Sequence, residues 1–149
     1  TFVQGRGNPL YYHTNSQSFK TFNYHMSKIF RDHKIDRWYE SEFIPSGREK
    51  KVTREHLFSS AGRDPATGDL ILKVVNLTDQ PRQVAMMVEK EAGEVATTIT
   101  TLTARPDQKN TPLNPDAVKP SVEQTNLSME SEYTFLPRSL TVIRFRDSF

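Results

Sequence analysis

From about residue 54 onward the sequence alternates short β-branched segments with turns, and this alternation limits the fold more than any other feature. The segment VATTITTLT, at 95–103, is β-branched at most positions, a composition that favours strand over helix. The stretch RDPATGD has strong turn chemistry and precedes the apolar segment LILKVVN, at 70–76. About seven short strands joined in this way predict a mainly β fold, an antiparallel, jelly-roll-like β-sandwich.

One N-terminal helix is predicted ahead of the strands, at residues 16–31. Its apolar residues recur at the spacing of one helical face: Phe19, Phe22, Met26, Ile29 and Phe30. Ser16 or Ser18 is expected to cap its start. Residues 1–13 show no period and are expected to form a loop or an ordered tail.

The change of pattern predicts two parts, an N-terminal tail and helix at 1–50 and a β-sandwich at 51–149. The closing segment SLTVIRF, at 139–145, carries apolar side chains on both faces of a strand. This indicates either a strand covered on both sides or a bulge midway. The N-terminal helix is one candidate for the second cover.

Several kinds of chemistry lack their signatures. The chain has no cysteine, and its four histidines include no i, i+4 zinc pair. It has no G-x-S-x-G nucleophile elbow and no glycine-rich phosphate cradle. Its net charge of +2 gives no strong field, and no stretch approaches the roughly 18 apolar residues of a membrane span. We expect no metal, cofactor, nucleic-acid partner or membrane partner. Because residue 1 is not Met, we expect a piece of a longer protein.

A glycosidase needs two carboxylates that face one pocket. Glu40 and Glu42 lie two apart, and Glu89, Glu91 and Glu94 cluster near a predicted turn. Neither group has the apolar surroundings that raise the pKa of a general acid. We expect exposed charged segments and assign no catalytic residue.

Two pairs of adjacent aromatic residues stand out, Tyr11-Tyr12 and Trp38-Tyr39. Neighbours on a strand point to opposite faces, so each pair contributes one ring to a given face. Core or inter-domain packing is the preferred interpretation. The alternative is a carbohydrate-binding surface that uses Trp38 or Tyr39.

Three longer segments carry motifs that follow one another in order. The first, LFSSAGRDPATGDLILKVVNLTDQP, contains a strand, a D-x-x-[ST]-G turn and an I-x-K-V-V-N strand. The second, LTARPDQKNTPLNPDAVKP, is rich in proline, and the third, YTFLPRSLTVIRF, closes the chain. Together they resemble the C-terminal β-sandwich of the retaining α-L-arabinofuranosidases over about residues 54–146. The segment YHMSKIFRDHKIDRWYES resembles the last helix of that family's catalytic barrel.

The resemblance implies that residues 104–120 are a long connection between strands of the sandwich. Prolines fix φ and reduce the entropy lost on ordering, and four lie in this segment: Pro106, Pro112, Pro115 and Pro120. A connection of this length is otherwise expected to be floppy or functional. We predict that it is ordered and structural.

In the resembled family the catalytic glutamates lie on a barrel of roughly 250 residues, which cannot fit in this chain. The resemblance therefore implies an accessory, non-catalytic sandwich that packs on its own upstream barrel, which is absent here. The parent enzyme would remove terminal arabinofuranosyl groups from arabinan or arabinoxylan with retention.

Two alternatives stay open for the function, a carbohydrate-binding sandwich and an unrelated protein-interaction sandwich. Without a barrel, the helix at 16–31 would fold back on the sandwich or form a homo-oligomer with a second copy.

Overall fold

The computed structural model describes residues 10–13, 16–41, 43, 56–87, 93–128 and 130–146. In chain order, the elements of these ranges are β1 (Tyr11–His13), β2 (Ser18–Lys20), α1 (Phe22–Asp32), β3 (Arg37–Tyr39), β4 (Leu57–Arg63), β5 (Leu70–Asn76), β6 (Arg82–Met87), β7 (Glu94–Thr103), β8 (Ser121–Ser128), β9 (Glu130–Phe135) and β10 (Ser139–Phe145).

The strands form two facing layers and a separate hairpin. The large layer is a six-stranded antiparallel sheet of order β3-β4-β5-β10-β7-β8, and β6 pairs with β9 in a two-stranded sheet. Met86 and Phe135 of the small sheet pack on the large one, and β1 pairs with β2. The predicted mainly β, antiparallel sandwich is confirmed, and β4 to β10 are the expected seven strands.

β10 lies at the centre of the large sheet, and both of its faces are buried. Leu140 and Val142 pack with Ile29 of α1 on one face, which we call the helix side. Ile143 and Phe145 pack with residues of β6 and β9 on the other face, the ribbon side. Pairing with β5 continues along the whole strand without an extra residue. Burial of both faces, and not a bulge, therefore explains why β10 carries apolar side chains on both of them.

The helix begins later than the predicted range of 16–31. It starts at Phe22, and Thr21 is its N-cap, with extended backbone and an Oγ1 that accepts a hydrogen bond from the Tyr24 N–H at 3.3 Å. Residues 18–20 form β2, which pairs with a strand at 11–13. The predicted start and its Ser16 or Ser18 cap are wrong, because apolar spacing does not distinguish a hairpin phenylalanine from one in a first helical turn. Of the tail at 1–13, residues 10–13 are described, and 11–13 form a strand.

A cluster of ion pairs fixes the turn between β4 and β5. Arg144 of β10 donates from Nε to Asp69 Oδ2 at 2.6 Å and from Nη2 to Asp64 Oδ2 at 2.7 Å. Within the turn, the Ala66 N–H donates to Asp64 Oδ1 at 2.8 Å, and Gly68 has a φ of 80° that favours glycine. The turn is thereby tied to the central strand, which also positions β4.

Asn110 holds the proline-rich connection between β7 and β8 against the body. Its Nδ2 donates to the Val118 carbonyl at 2.9 Å and to the Lys20 carbonyl at 2.8 Å, and its Oδ1 accepts from the Val118 N–H at 2.6 Å. Val118 itself is buried with Ile29 and Leu102. The prediction of an ordered, structural connection is confirmed.

Candidate functional site

The free edge of the large sheet near β3 exposes a group of large apolar side chains. Trp38 lies opposite Gly62 of β4, and Phe58 lies opposite Val75 of β5. Directly opposed residues share a face of a sheet, and Val75 packs in the helix-side cluster. Trp38 and Phe58 therefore both lie on the helix side, 63% and 51% exposed.

Gly62 allows β3 to reach this position. A Cβ atom on Gly62 would stand 2.2 Å from Ile35 Cγ2 and 2.4 Å from the Arg37 carbonyl oxygen. Real Cβ atoms do not approach so closely, so only glycine lets the chain between α1 and β3 lie directly on β4. This close approach sets the register that places Trp38 at the edge.

Lys73 lies between the two exposed aromatic residues. It is opposite Ser60, midway along β4 between positions 58 and 62, which are about 13 Å apart at the usual rise of a strand. The Lys73 Nζ stands 5.0 Å from the centroid of the Phe30 ring, which is 46% exposed. We call Phe30, Trp38, Phe58 and Lys73 the edge patch.

The ammonium of Lys73 is in an unfavourable environment. The residue is 7% exposed, and burial lowers the pKa of its side chain below the ordinary value. No carboxylate within the described ranges forms an ion pair with it. Its contact with the Phe30 ring is a cation–π interaction, which compensates part of the lost hydration.

His33, the C-cap of α1, lies near the same cations. Burial, followed by the charges of Arg144 and Lys73, lowers its pKa, while Asp32 and Asp64 act in the opposite direction. Its Nδ1 is enclosed and without a hydrogen-bond partner in the described structure. Burial is therefore the main reason why the neutral form of His33 is favoured at the junction between α1 and the sheet.

Tyr39, the other predicted sugar-binding candidate, does not join Trp38 in one surface. It lies opposite Ala61 on the ribbon side, and its hydroxyl accepts a hydrogen bond from Arg63 Nε at 3.2 Å. The expectation that adjacent rings point to opposite faces is confirmed. Trp38 and Tyr39 are both exposed, but each can offer a single ring to a ligand.

The aromatic residues of the β1–β2 hairpin form a satellite cluster with α1. The ring centroids of Tyr11 and Tyr24 are 4.9 Å apart, and those of Tyr12 and Phe19 are 5.5 Å apart. Lys20 Nζ lies 5.2 Å from the Tyr24 ring centroid. These contacts favour local packing as the role of the first tyrosine pair.

A polar cleft lies at the opposite edge of the large sheet. It has a volume of about 370 Å³ and crosses the ends of β7 and β8. No aromatic ring lines it, so it lacks the stacking surface that sugar sites commonly use; the lining residues are Ala96, Thr97, Thr98, Gln124, Thr125, Asn126 and Arg146.

The acidic residues considered as a possible pair are placed only in part. Glu40 and Glu94 are exposed, and Glu42, Glu89 and Glu91 lie outside the described residues or have undescribed side chains. Within the described part of the chain, no group of three His, Asp or Glu side chains is arranged to hold a metal ion. No helix in that part is long and apolar enough to span a bilayer.

Sequence reasoning missed Lys73 and Phe58. The signal for Lys73 was a single charge within the apolar run LILKVVN, whose other members give buried or half-buried positions. Phe58 carried no distinguishing signal, because strand alternation does not tell which face of an edge strand stays uncovered.

The fold is that of a β-sandwich domain, and large rings exposed together at one side of it mark a surface that meets a partner or a ligand. The chain belongs to the family described as the α-L-arabinofuranosidase C-terminal domain, which matches residues 3–139.

Solved α-L-arabinofuranosidases share the fold. The arabinose-bound enzyme MgGH51 is 19% identical, with a TM-score of 0.79 over 96% of this chain and 22% of its own. An arabinose complex from Thermotoga maritima is 22% identical, with a TM-score of 0.76 over 92% of this chain and 31% of its own. A GH51 enzyme from Xanthomonas axonopodis pv. citri is 16% identical, with a TM-score of 0.66 over 92% of this chain and 28% of its own. This chain thus spans less than a third of each, and no protein of curated function matches it in sequence.

Proposed function

We propose that this chain is the accessory sandwich of a retaining α-L-arabinofuranosidase and packs on the catalytic barrel of its parent enzyme. The parent removes terminal arabinofuranosyl groups from arabinan or arabinoxylan, and the sandwich supplies no catalytic carboxylate. Residues 1–50 correspond to the end of the barrel, and residues 51–149 to the sandwich.

The edge patch is the observation that carries this proposal. Three large rings, from Phe30, Trp38 and Phe58, are between 46% and 63% exposed on one side of the sheet. Scattered single apolar residues are normal on a protein surface, but a group around one buried cation is a contact surface. The chain belongs to the family and leaves more than two thirds of each relative uncovered. A barrel of the same polypeptide is therefore the expected partner.

Activity measurements test the catalytic part of the proposal. The 149-residue chain should release no aryl alcohol from an aryl α-L-arabinofuranoside, and the parent polypeptide with its barrel restored should turn the substrate over with retention. Hydrolysis by the chain alone would refute the assignment.

Calorimetric titration tests the docking part, with the barrel produced as a separate polypeptide. The wild-type chain should bind it, and Trp38→Ser or Phe58→Ser should weaken binding about tenfold or more, as loss of a central aromatic contact does. Leu113→Ser is the matched control, because Leu113 is 99% exposed on the proline-rich connection away from the patch. Equal effects of all three substitutions would contradict docking through the edge patch.

Carbohydrate binding is the second candidate, and the exposure of Trp38 favours it. Trp38 is the single tryptophan of the chain, so its fluorescence reports on this site alone. A saturable change of Trp38 emission on titration with arabinan would support sugar stacking. No change with sugar at millimolar concentration, together with tight binding to the barrel, would exclude it.

Self-association is the remaining expectation for the helix. Ile29 is buried in the helix-side cluster and Met26 packs against it, so α1 covers the sheet within one copy. Phe22 and Phe30 stay exposed and are the residues a second copy would bury. Sedimentation over a hundredfold range of concentration decides whether the isolated chain dimerises.

A further inference from the structure

Lys73 differs from Arg144, the half-buried cation of the neighbouring central strand. Arg144 has two carboxylates, Asp64 and Asp69, at 2.7 and 2.6 Å. Lys73, on the neighbouring strand and on the same helix side, has no carboxylate partner among the described residues and meets the face of the Phe30 ring instead. A cation removed from water without a counter-ion is costly, so its retention here needs a reason.

The surroundings of Lys73 indicate what would pair with it. The Nζ of Lys73 meets the Phe30 ring, which is itself 46% exposed at the protein surface. The exposed rings of Trp38, Phe58 and Phe30 make that surface apolar. A carboxylate brought there by an apolar surface would lose contact with water together with the ammonium, which strengthens their attraction.

We propose that the edge patch receives a carboxylate flanked by apolar side chains, presented by the remaining part of the parent polypeptide, and that this carboxylate forms an ion pair with Lys73. The inference rests on the proposed function, because it specifies the chemistry of the surface on which the sandwich docks. Trp38 and Phe58 exclude water from the pair, and the ion pair fixes the orientation of the two domains.

Lys73→Met separates this role from a purely structural one. Methionine keeps most of the side-chain volume and removes the charge. Among the described residues the ammonium has no carboxylate partner, so Lys73→Met should leave the melting temperature of the isolated chain unchanged or raise it by a few degrees. Against the separately produced barrel, the same substitution should weaken binding by about 30-fold or more, since it leaves the partner carboxylate buried and unpaired.

Two further variants control the experiment. Lys73→Arg keeps the charge and should bind the barrel within a few-fold of wild type. Lys28→Met removes an exposed lysine of α1 that pairs with Asp32, and it should change binding less than threefold. Recovery of binding by Arg, and not by Met, identifies charge and not volume as the requirement.

The outcomes distinguish this inference from the proposed function. If wild type binds the barrel and Lys73→Met changes the affinity by less than threefold, the ion pair is refuted and domain docking is not. A fall in the melting temperature of isolated Lys73→Met overturns it too, since Lys73 would then already have a partner within the chain. No binding by wild type refutes both proposals. Glucuronate or galacturonate could instead quench the fluorescence of Trp38 in wild type and not in Lys73→Met. Without binding to the barrel, that result would overturn the proposed protein partner in favour of an acidic sugar.

Discussion

Asn110→Ala should loosen the attachment of the proline-rich connection and lower the stability of the whole chain. The side chain of Asn110 is 6% exposed and makes three hydrogen bonds, two to Val118 and one to the Lys20 carbonyl. Each buried hydrogen bond contributes about 1 kcal/mol net, so the loss should be about 3 kcal/mol. For a domain of this size that corresponds to a fall in melting temperature of about 6–12 °C.

Asn110→Asp sharpens the test because it is nearly isosteric. The aspartate would still accept from the Val118 N–H, but it would place an oxygen against two carbonyl oxygens where the amide now donates. We expect Asn110→Asp to be at least as destabilising as Asn110→Ala. Asn114→Ala is the matched control, since Asn114 is exposed in the same connection and its hydrogen bonds are made by its backbone; it should cost less than about 0.5 kcal/mol.

Urea unfolding followed by far-UV circular dichroism measures these differences, provided that the slope with denaturant stays constant. Hydrogen exchange at the Val118 amide gives a local measure, because this N–H loses its acceptor in Asn110→Ala. A stability of Asn110→Ala within 0.5 kcal/mol of wild type, or equal to that of Asn114→Ala, would refute the reasoning that one amide anchors the connection.

Three further substitutions test other parts of the structure. Arg144→Met should lower the free energy of unfolding in urea by about 3–5 kcal/mol, because it removes the cation that pairs with two largely buried carboxylates. Arg105→Met, at an exposed pair 3.9 Å apart, should cost less than about 0.5 kcal/mol. The pKa of His33 lies below its ordinary 6.5 in the folded chain, so the free energy of unfolding is highest above pH 6.5 and falls as the pH drops below that value. His33→Gln should reduce this dependence on pH, which unfolding curves measured between pH 7.5 and pH 5, at steps on the order of half a unit, would detect. Gly62→Ala should cost about 1–3 kcal/mol and shift the emission of Trp38, since its methyl group would overlap Ile35 and the Arg37 carbonyl; unchanged emission and stability would contradict the close packing of β3 on β4.

The strands were the part of the fold most accessible from sequence. LILKVVN and SLTVIRF correspond residue for residue to β5 and β10, because β-branched composition and flanking turns are local signals. The start of α1 was not accessible in the same way. Phe19 continues the helical spacing of Phe22 and Met26, yet it pairs with Tyr12 in a hairpin, and only that partner decides its state.

The candidate site was predicted in part. The separation of Trp38 from Tyr39 follows from strand alternation and was foreseen. The exposure of Trp38 was not, because core or inter-domain packing was the preferred interpretation of this pair. Lys73 could be marked as unusual within its apolar run, but its lack of a carboxylate partner in the described part of the chain depends on what faces it from α1 and β4. Phe58 and Trp38 lie on different strands, and the register of β3, β4 and β5 places them on the same face. A slip of one residue would turn one of these side chains to the other face.

By itself, the sequence determined the strand segments from β4 to β10, the turn chemistry and the family, because each depends on residues close together in the chain. The tertiary structure alone decided the cap at Thr21, the clamp on the β4–β5 turn and the anchoring of the proline-rich connection. The physical reason is separation along the chain. Arg144 reaches Asp69 across 75 positions and Asn110 reaches Lys20 across 90, so no local pattern records either contact.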